Sequence, residues 1–181
     1  PELPKREDMP PNPLSPYGRQ KWESERVCAA FARERSLETA ALRFFNVYGP
    51  RQRPDMFFHI FMRALLNGDD VPLYDDGEQT RDFTFCSDIV DGLVNAADYA
   101  GQGEVFNLGG GSQVSLLTAI ALAEHISGIK AKLRRFDRQR GDVRHTSAQL
   151  DQAREKLNYR PQVGLEEGLK QQWQWIRSLG R

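Results

Sequence analysis

SPYGRQKWESERVCAAFARERS (15–36) runs straight into LETAALRFFNVYGP (37–50), and that junction constrains the fold more than any other feature of the chain. Ser15 can accept a hydrogen bond as an N-cap and Pro16 suits the first helical position, so a helix over 15–35 is predicted. Val27, Ala30 and Phe31 recur on one face and are expected to form its buried stripe. The next segment is apolar and continuous, as a strand buried on both faces must be, and Asn46, Gly49 and Pro50 stop it.

The alternation continues to the end of the chain. A helix is predicted from a cap at Asp55 through Leu66, closed by Asn67-Gly68, followed by strands at Val71–Tyr74 and Thr80–Phe85. Ser87 or Asp88 is expected to open a helix to about Tyr99, EVFNLGG is a strand and turn, and Ser115 caps a helix to His125. KAKLRRF reads as a strand, VRHTSA (143–148) as a short extended piece, and helices at 148–157 and 165–178 close the chain around Pro161 and Gly164. Strands alternating with helices define the α/β class.

Composition narrows the function. Twenty-five Lys and Arg balance twenty-five Asp and Glu, which argues against a general nucleic-acid or anionic-membrane binder but permits a local basic pocket. Cys28 and Cys86 are too few for a disulfide scaffold, so a reducing, cytoplasmic setting is expected. The apolar run around Leu116–Ala123 is too short to span a bilayer. PELPKREDMPPNP has no signal-peptide pattern and reads as a Pro-rich surface loop, an unusual opening that suggests a piece of a longer protein.

Tyr17 and Lys21 stand at i and i+4, hence on one helical face. A free tyrosine titrates near about 10, and a neighbouring ammonium or cationic ring favours its anion, which would let it take a proton from a hydroxyl. Spacing alone does not distinguish this from an ordinary helix with a half-buried tyrosine and a solvated lysine.

Five segments in order change that balance: SPYGRQKWESE, LRFFNVYGPRQRPD, VPLYDDGEQTRDFTFCSDIVDGL, VFNLGGGSQVSLL and GDVRHTSAQLDQAREKLNYRPQVGLEEGL. Together they resemble the extended short-chain dehydrogenase/reductase family acting on nucleotide-diphosphate sugars, above all its UDP-glucose 4-epimerase-like and UDP-glucuronate 4-epimerase members. The resemblance covers essentially the whole chain. It implies the C-terminal part of a Rossmann-type doubly wound sheet plus a small α/β substrate-binding domain. Residues 1–50 would hold later Rossmann elements with the Tyr-Lys helix, and 51–181 mainly the substrate domain, interleaved with returning Rossmann elements around 80–108.

The resemblance also assigns roles. Tyr17 would be the catalytic base and Lys21 its electrostatic partner, both touching NAD, with Phe44 and the Val47 backbone lining the nicotinamide site. Asn46 would bond the substrate's diphosphate, Tyr74 would pack on its base with Pro72 beside it, and Arg81 would meet phosphate or ribose. Each has a plainer reading: Asn46 as a strand end, Tyr74 as edge packing, Arg81 as a surface ion pair with Asp82 or Asp75. In RQRGDVRHT the family's arginine position is Gln139, which leaves Arg138, Arg140 or Arg144 to grip the diphosphate, and Asp142 to contact a ribose hydroxyl or shape the turn.

The implied activity is 4-epimerisation of a UDP-hexose (or a dTDP-sugar) through a transient 4-keto sugar. A 4,6-dehydratase, a UDP-glucuronate decarboxylase and a non-catalytic sugar-nucleotide-binding module are the alternatives. The whole enzyme is expected to be a homodimer. The 181-residue chain holds no G-x-G-x-x-G, so by itself it is expected to bind NAD weakly, not to turn over, and to aggregate. Gly109-Gly110-Gly111 is read as a tight turn, and His59, His125 and His145 lack metal-ligand spacing.

Overall fold

The computed structural model describes residues 2–137 and 143–180. Helix α1 (Pro16–Arg35) starts as the sequence requires, with the Ser15 hydroxyl accepting the Gly18 N–H at 3.1 Å. It packs against β1 (Thr39–Phe44) and β6 (Gln102–Leu108), which pair in parallel from Thr39↔Gln102 to Phe44↔Leu108. Gly103 permits this approach: at φ +92° it has no Cβ, and one built there would meet the Ala29 Cα at 2.9 Å. Ala32 is buried in the same seam, and Arg43 on β1 forks onto Glu25 of α1 at 2.8 and 2.7 Å.

The expected stripe of Val27 and Phe31 is not buried; these residues are 54% and 50% exposed. A seam set by a strand glycine takes small side chains, so the larger ones turn outward. The long strand expected over 37–50 is two strands. Asn46, at φ 32°, breaks it into β1 and β2 (Val47–Tyr48), and β2 pairs in parallel with β5 (Thr84–Phe85) instead of with β6.

Helix α2 (Phe57–Asn67) is capped by the backbone of Met56, not by Asp55, whose carboxylate is taken by Arg53 at 3.1 and 2.9 Å. Strand β3 (Asp70–Tyr74) pairs in parallel with β8 (Lys132–Phe136), and β4 (Thr80–Arg81) pairs antiparallel with β7 (Val114–Ser115). The strand expected over 80–85 is therefore interrupted at Asp82-Phe83. Helix α3 (Cys86–Ala97) begins before Ser87 and Asp88; the Asp88 carboxylate instead accepts the N–H groups of Gln162 and Val163 at 3.0 and 3.2 Å. Helix α4 (Leu116–Ser127) carries the expected Ser115 cap, bonded to the Thr118 N–H at 3.1 Å. Helix α5 (Asp151–Lys156) is shorter than expected because residues 147–149 are held extended against Lys5, which takes the Ser147 carbonyl that a longer helix would need as an acceptor. Helix α6 (Leu165–Ser178) closes the chain.

Among the described residues, two apolar cores result. One joins α2, β3, α4 and α6 around Phe58, Phe61, Leu73, Ile120 and Trp173. The other lies beneath β1 and β6, around Phe106, Leu108, Leu150, Leu157 and Tyr159. The N-terminal stretch, expected as a loop, is tied down: Lys5 exchanges backbone bonds with Ser147 and Gln149 at 2.7 and 2.9 Å.

Candidate active site

Parallel α/β sheets bind ligands beyond the carboxyl ends of their strands, where the chain crosses between elements. Here β1 ends at Phe44, β2 begins at Val47, and Asn46 stands between them. Its left-handed backbone is one that asparagine tolerates better than most residues. The Asn46 carbonyl accepts the Thr84 N–H at 3.2 Å, and the Thr84 hydroxyl donates to the Phe45 carbonyl at 2.6 Å.

Asn46, Pro72, Tyr74 and Arg81, all singled out from the sequence, line a single cleft of about 290 Å³. Phe57, Ile60, Val71, Phe83 and Leu116 give it apolar walls, and Gln79 and Asp55 complete it. The Tyr74 ring leans on Phe136 at 5.6 Å between centroids, and the Tyr74 carbonyl accepts from Gln79 Nε2 at 3.1 Å. Arg81 Nη1 donates to the carbonyls of Thr80 and Arg144 at 3.0 and 3.1 Å, which braces the guanidinium at the cleft wall.

Tyr17, Lys21, Phe44, Val47 and Arg144 are not among the residues lining this cleft. Lys21 Nζ lies 5.4 Å from the Tyr17 ring centroid, and Tyr17 is 68% exposed. Phe44 is 47% exposed at the end of β1, and the Val47 carbonyl accepts from Gln52 Nε2 at 2.9 Å. Arg144 turns its guanidinium to Asp76 at 2.6 Å, with Asp75 at 3.7 Å. The Glu78 N–H and then Arg144 hold the Asp76 carboxyl below the usual carboxylate range. Asp142, with Arg138, Gln139 and Arg140, lies outside the described residues.

Sequence reasoning missed Gln79, Asp82 and Thr146. Asp82 is fully buried, and its carboxylate accepts the N–H groups of Gly110 at 2.8 Å and Ala148 at 2.9 Å. The triple glycine is thus a turn, as expected, whose amide groups grip the protein's own anion. A Cβ on Gly110 would collide with the Phe83 carbonyl, so the turn admits no larger residue there. Burial pushes the Asp82 carboxyl up, against the pull of the amides of Ala148, Gly110, Gly111 and Ser112. The sequence held one signal: Asp82 is an acidic residue inside the run expected as a strand over 80–85. Among the described residues, no group of three or more His, Cys, Asp or Glu could hold a metal ion, and no helix is long and apolar enough to cross a membrane.

A parallel α/β framework, with Asn46 just past the end of β1 and Tyr74 and Arg81 on β3 and β4, defines a Rossmann-type protein with an amide, an aromatic ring and a guanidinium on one cleft. The model of the NAD dependent epimerase/dehydratase family matches residues 1–109, and the chain belongs to that family. It is 38% identical over 169 residues to the uncharacterized UDP-glucose epimerase YtcB of Bacillus subtilis, covering 93% of this chain and 54% of that protein. Against the UDP-glucose 4-epimerase of Mycolicibacterium smegmatis the identity is 37%, covering 98% of this chain and 58% of the relative. The solved UDP-glucuronic acid 4-epimerase of Bacillus cereus, in complex with UDP-glucuronic acid and NAD, superimposes with a TM-score of 0.92 at 38% identity, over 97% of this chain and 56% of that one. The chain thus spans about half the length of the relatives it matches.

Proposed function

We propose that this chain supplies the substrate cleft and the Tyr17–Lys21 pair of an NAD-dependent epimerase that inverts C4 of a UDP-hexose. The observation that carries this reading is the convergence of Asn46, Pro72, Tyr74 and Arg81 on one cleft. A guanidinium meets phosphate oxygens with directed, charge-assisted bonds, and an aromatic ring offers a face for a nucleobase. Asn46 donates its amide to the diphosphate, Arg81 meets phosphate or ribose, and Tyr74 packs on the base with Pro72 beside it. Asp142 is assigned a ribose hydroxyl on the family resemblance, and Arg144 the diphosphate, for which it must leave Asp76.

Tyr17, Lys21, Phe44 and Val47 are assigned to the nicotinamide end of NAD on the family resemblance. Tyr17 and Phe44 are exposed, and Lys21 stands over the Tyr17 ring with its ammonium able to donate to ribose hydroxyls. Phe44 and the Val47 backbone line that end. When bound, NAD supplies the acceptor and donor of the C4 hydride. Tyr17 Oη takes the C4 hydroxyl proton and later returns it, while Lys21 supplies positive charge beside the phenol. The cleft's polar residues hold the nucleotide and leave the sugar free to present either face of C4.

The relatives named for UDP-glucose and UDP-glucuronate support a uridine nucleotide over a thymidine one. The exposed Val27 and Phe31 on α1 support a homodimer, and the two free cysteines a cytoplasmic enzyme. The test is to incubate the whole protein with NAD and, separately, UDP-glucose, UDP-glucuronate and UDP-N-acetylglucosamine, and to follow the sugar by proton NMR. Inversion at C4 of one of them is expected. A 4-keto-6-deoxy sugar or a pentose product would overturn the epimerase reading.

A further inference from the structure

Asn46 can serve an anion only if its amide nitrogen, not its oxygen, faces the cleft. The two ends of an amide have nearly the same shape, so something must set its direction. The Thr146 hydroxyl is placed to do so. Thr146 Oγ1 accepts the Asp82 N–H at 3.2 Å and donates its single proton to Asn46 Oδ1 at 3.2 Å. With the oxygen so engaged, both Nδ2 protons remain for other acceptors.

Thr146 is itself held on a stitched backbone. The Arg144 carbonyl accepts the Thr80 N–H at 3.0 Å, the Thr146 N–H donates to the Thr80 carbonyl at 3.1 Å, and the Ala148 N–H donates to Asp82 at 2.9 Å. The Asn46 backbone is fixed separately by its carbonyl, which accepts the Thr84 N–H. The hydroxyl therefore bridges two segments a hundred residues apart in sequence, each with little freedom of its own. A reversed amide would give up this acceptor and point an oxygen at the anion.

We propose that Thr146 is a positioning residue for substrate binding, its hydroxyl orienting the Asn46 amide to donate to the diphosphate of a nucleoside diphosphate sugar. The proposal rests on the reading of Asn46 as a diphosphate ligand. Substitution Thr146→Val keeps the shape and removes the hydroxyl, while Thr146→Ser keeps the hydroxyl.

The experiment is isothermal titration of the whole protein with UDP and with uridine, which lacks the diphosphate. A charge-assisted hydrogen bond predicts about tenfold weaker UDP binding for Asn46→Ala and about threefold to tenfold for Thr146→Val. Uridine affinity is expected to stay within about twofold in both, and Thr146→Ser to restore UDP affinity to within about twofold of wild type. On an Asn46→Ala background, Thr146→Val is expected to cost nothing further, because the group it orients is gone. If Thr146→Val weakens uridine as much as UDP, or weakens UDP equally with and without Asn46, its role is general folding and the proposal fails. If Asn46→Ala weakens UDP while Thr146→Val is silent, this proposal alone fails. If Asn46→Ala is itself silent, the diphosphate reading of Asn46 fails and takes this proposal with it.

Discussion

Asp82 sits next to the cleft arginine yet never faces the cleft; it holds the triple-glycine turn and the 146–148 segment together through backbone amides. Its carboxyl is pushed up by burial, so the folded state favours the protonated form relative to the unfolded chain. The stability it contributes is thus fullest below the ordinary aspartate range and declines as pH rises through its raised folded value. Substitution Asp82→Asn keeps one acceptor oxygen and removes the titration, so its stability should not follow the pH dependence of wild type through this group. In urea melts across a pH series, the wild-type advantage over Asp82→Asn should be largest at the acid end and shrink upward. At this scale the sequence was informative where a motif carried the residue: Asn46, Pro72, Tyr74 and Arg81 stood out and converge on one cleft. Thr146 and Asp82 did not stand out. Their partners lie 28 to 100 positions away, a relation that only the folded chain creates.

Elements were legible where local chemistry decides them. Ser15, Pro16 and Ser115 start their helices as read, because a cap is a contact within one turn. Boundaries set by distant partners were not: the strand over 37–50 divides because β1 and β2 pair with different strands, and α5 is short because residues 147–149 pair in extended form with Lys5. Periodicity also misplaced the inner face of α1, since Gly103 on the facing strand, not the helix itself, chooses which side chains fit. The cap at Ser15 also bears on the proposed base, because Tyr17 lies in the first turn it secures. Substitution Ser15→Ala is expected to destabilise the protein by about 1 kcal/mol, seen as a lowered midpoint in thermal melts followed by circular dichroism.

Over the whole molecule, the α/β class and the family follow from the sequence, whereas the division into two cores does not, since each core collects segments from distant parts of the chain. The 181-residue polypeptide leaves Leu14, Val27, Phe31, Leu37, Val90 and Val94 exposed. Such surface predicts self-association, which light scattering should show as particles larger than a 20.7 kDa monomer; a monodisperse monomer would contradict it. The same polypeptide, lacking a glycine-rich dinucleotide turn, is expected to show no turnover of UDP-sugars with added NAD. The most direct test of the account compares wild type and Tyr17→Phe in the whole protein, measuring C4 inversion of the accepted UDP-sugar and affinity for UDP side by side. The account predicts a loss of about 10²–10⁴ in turnover with UDP affinity unchanged, as removal of a proton-transfer group should give. Near-wild-type turnover in Tyr17→Phe would contradict it.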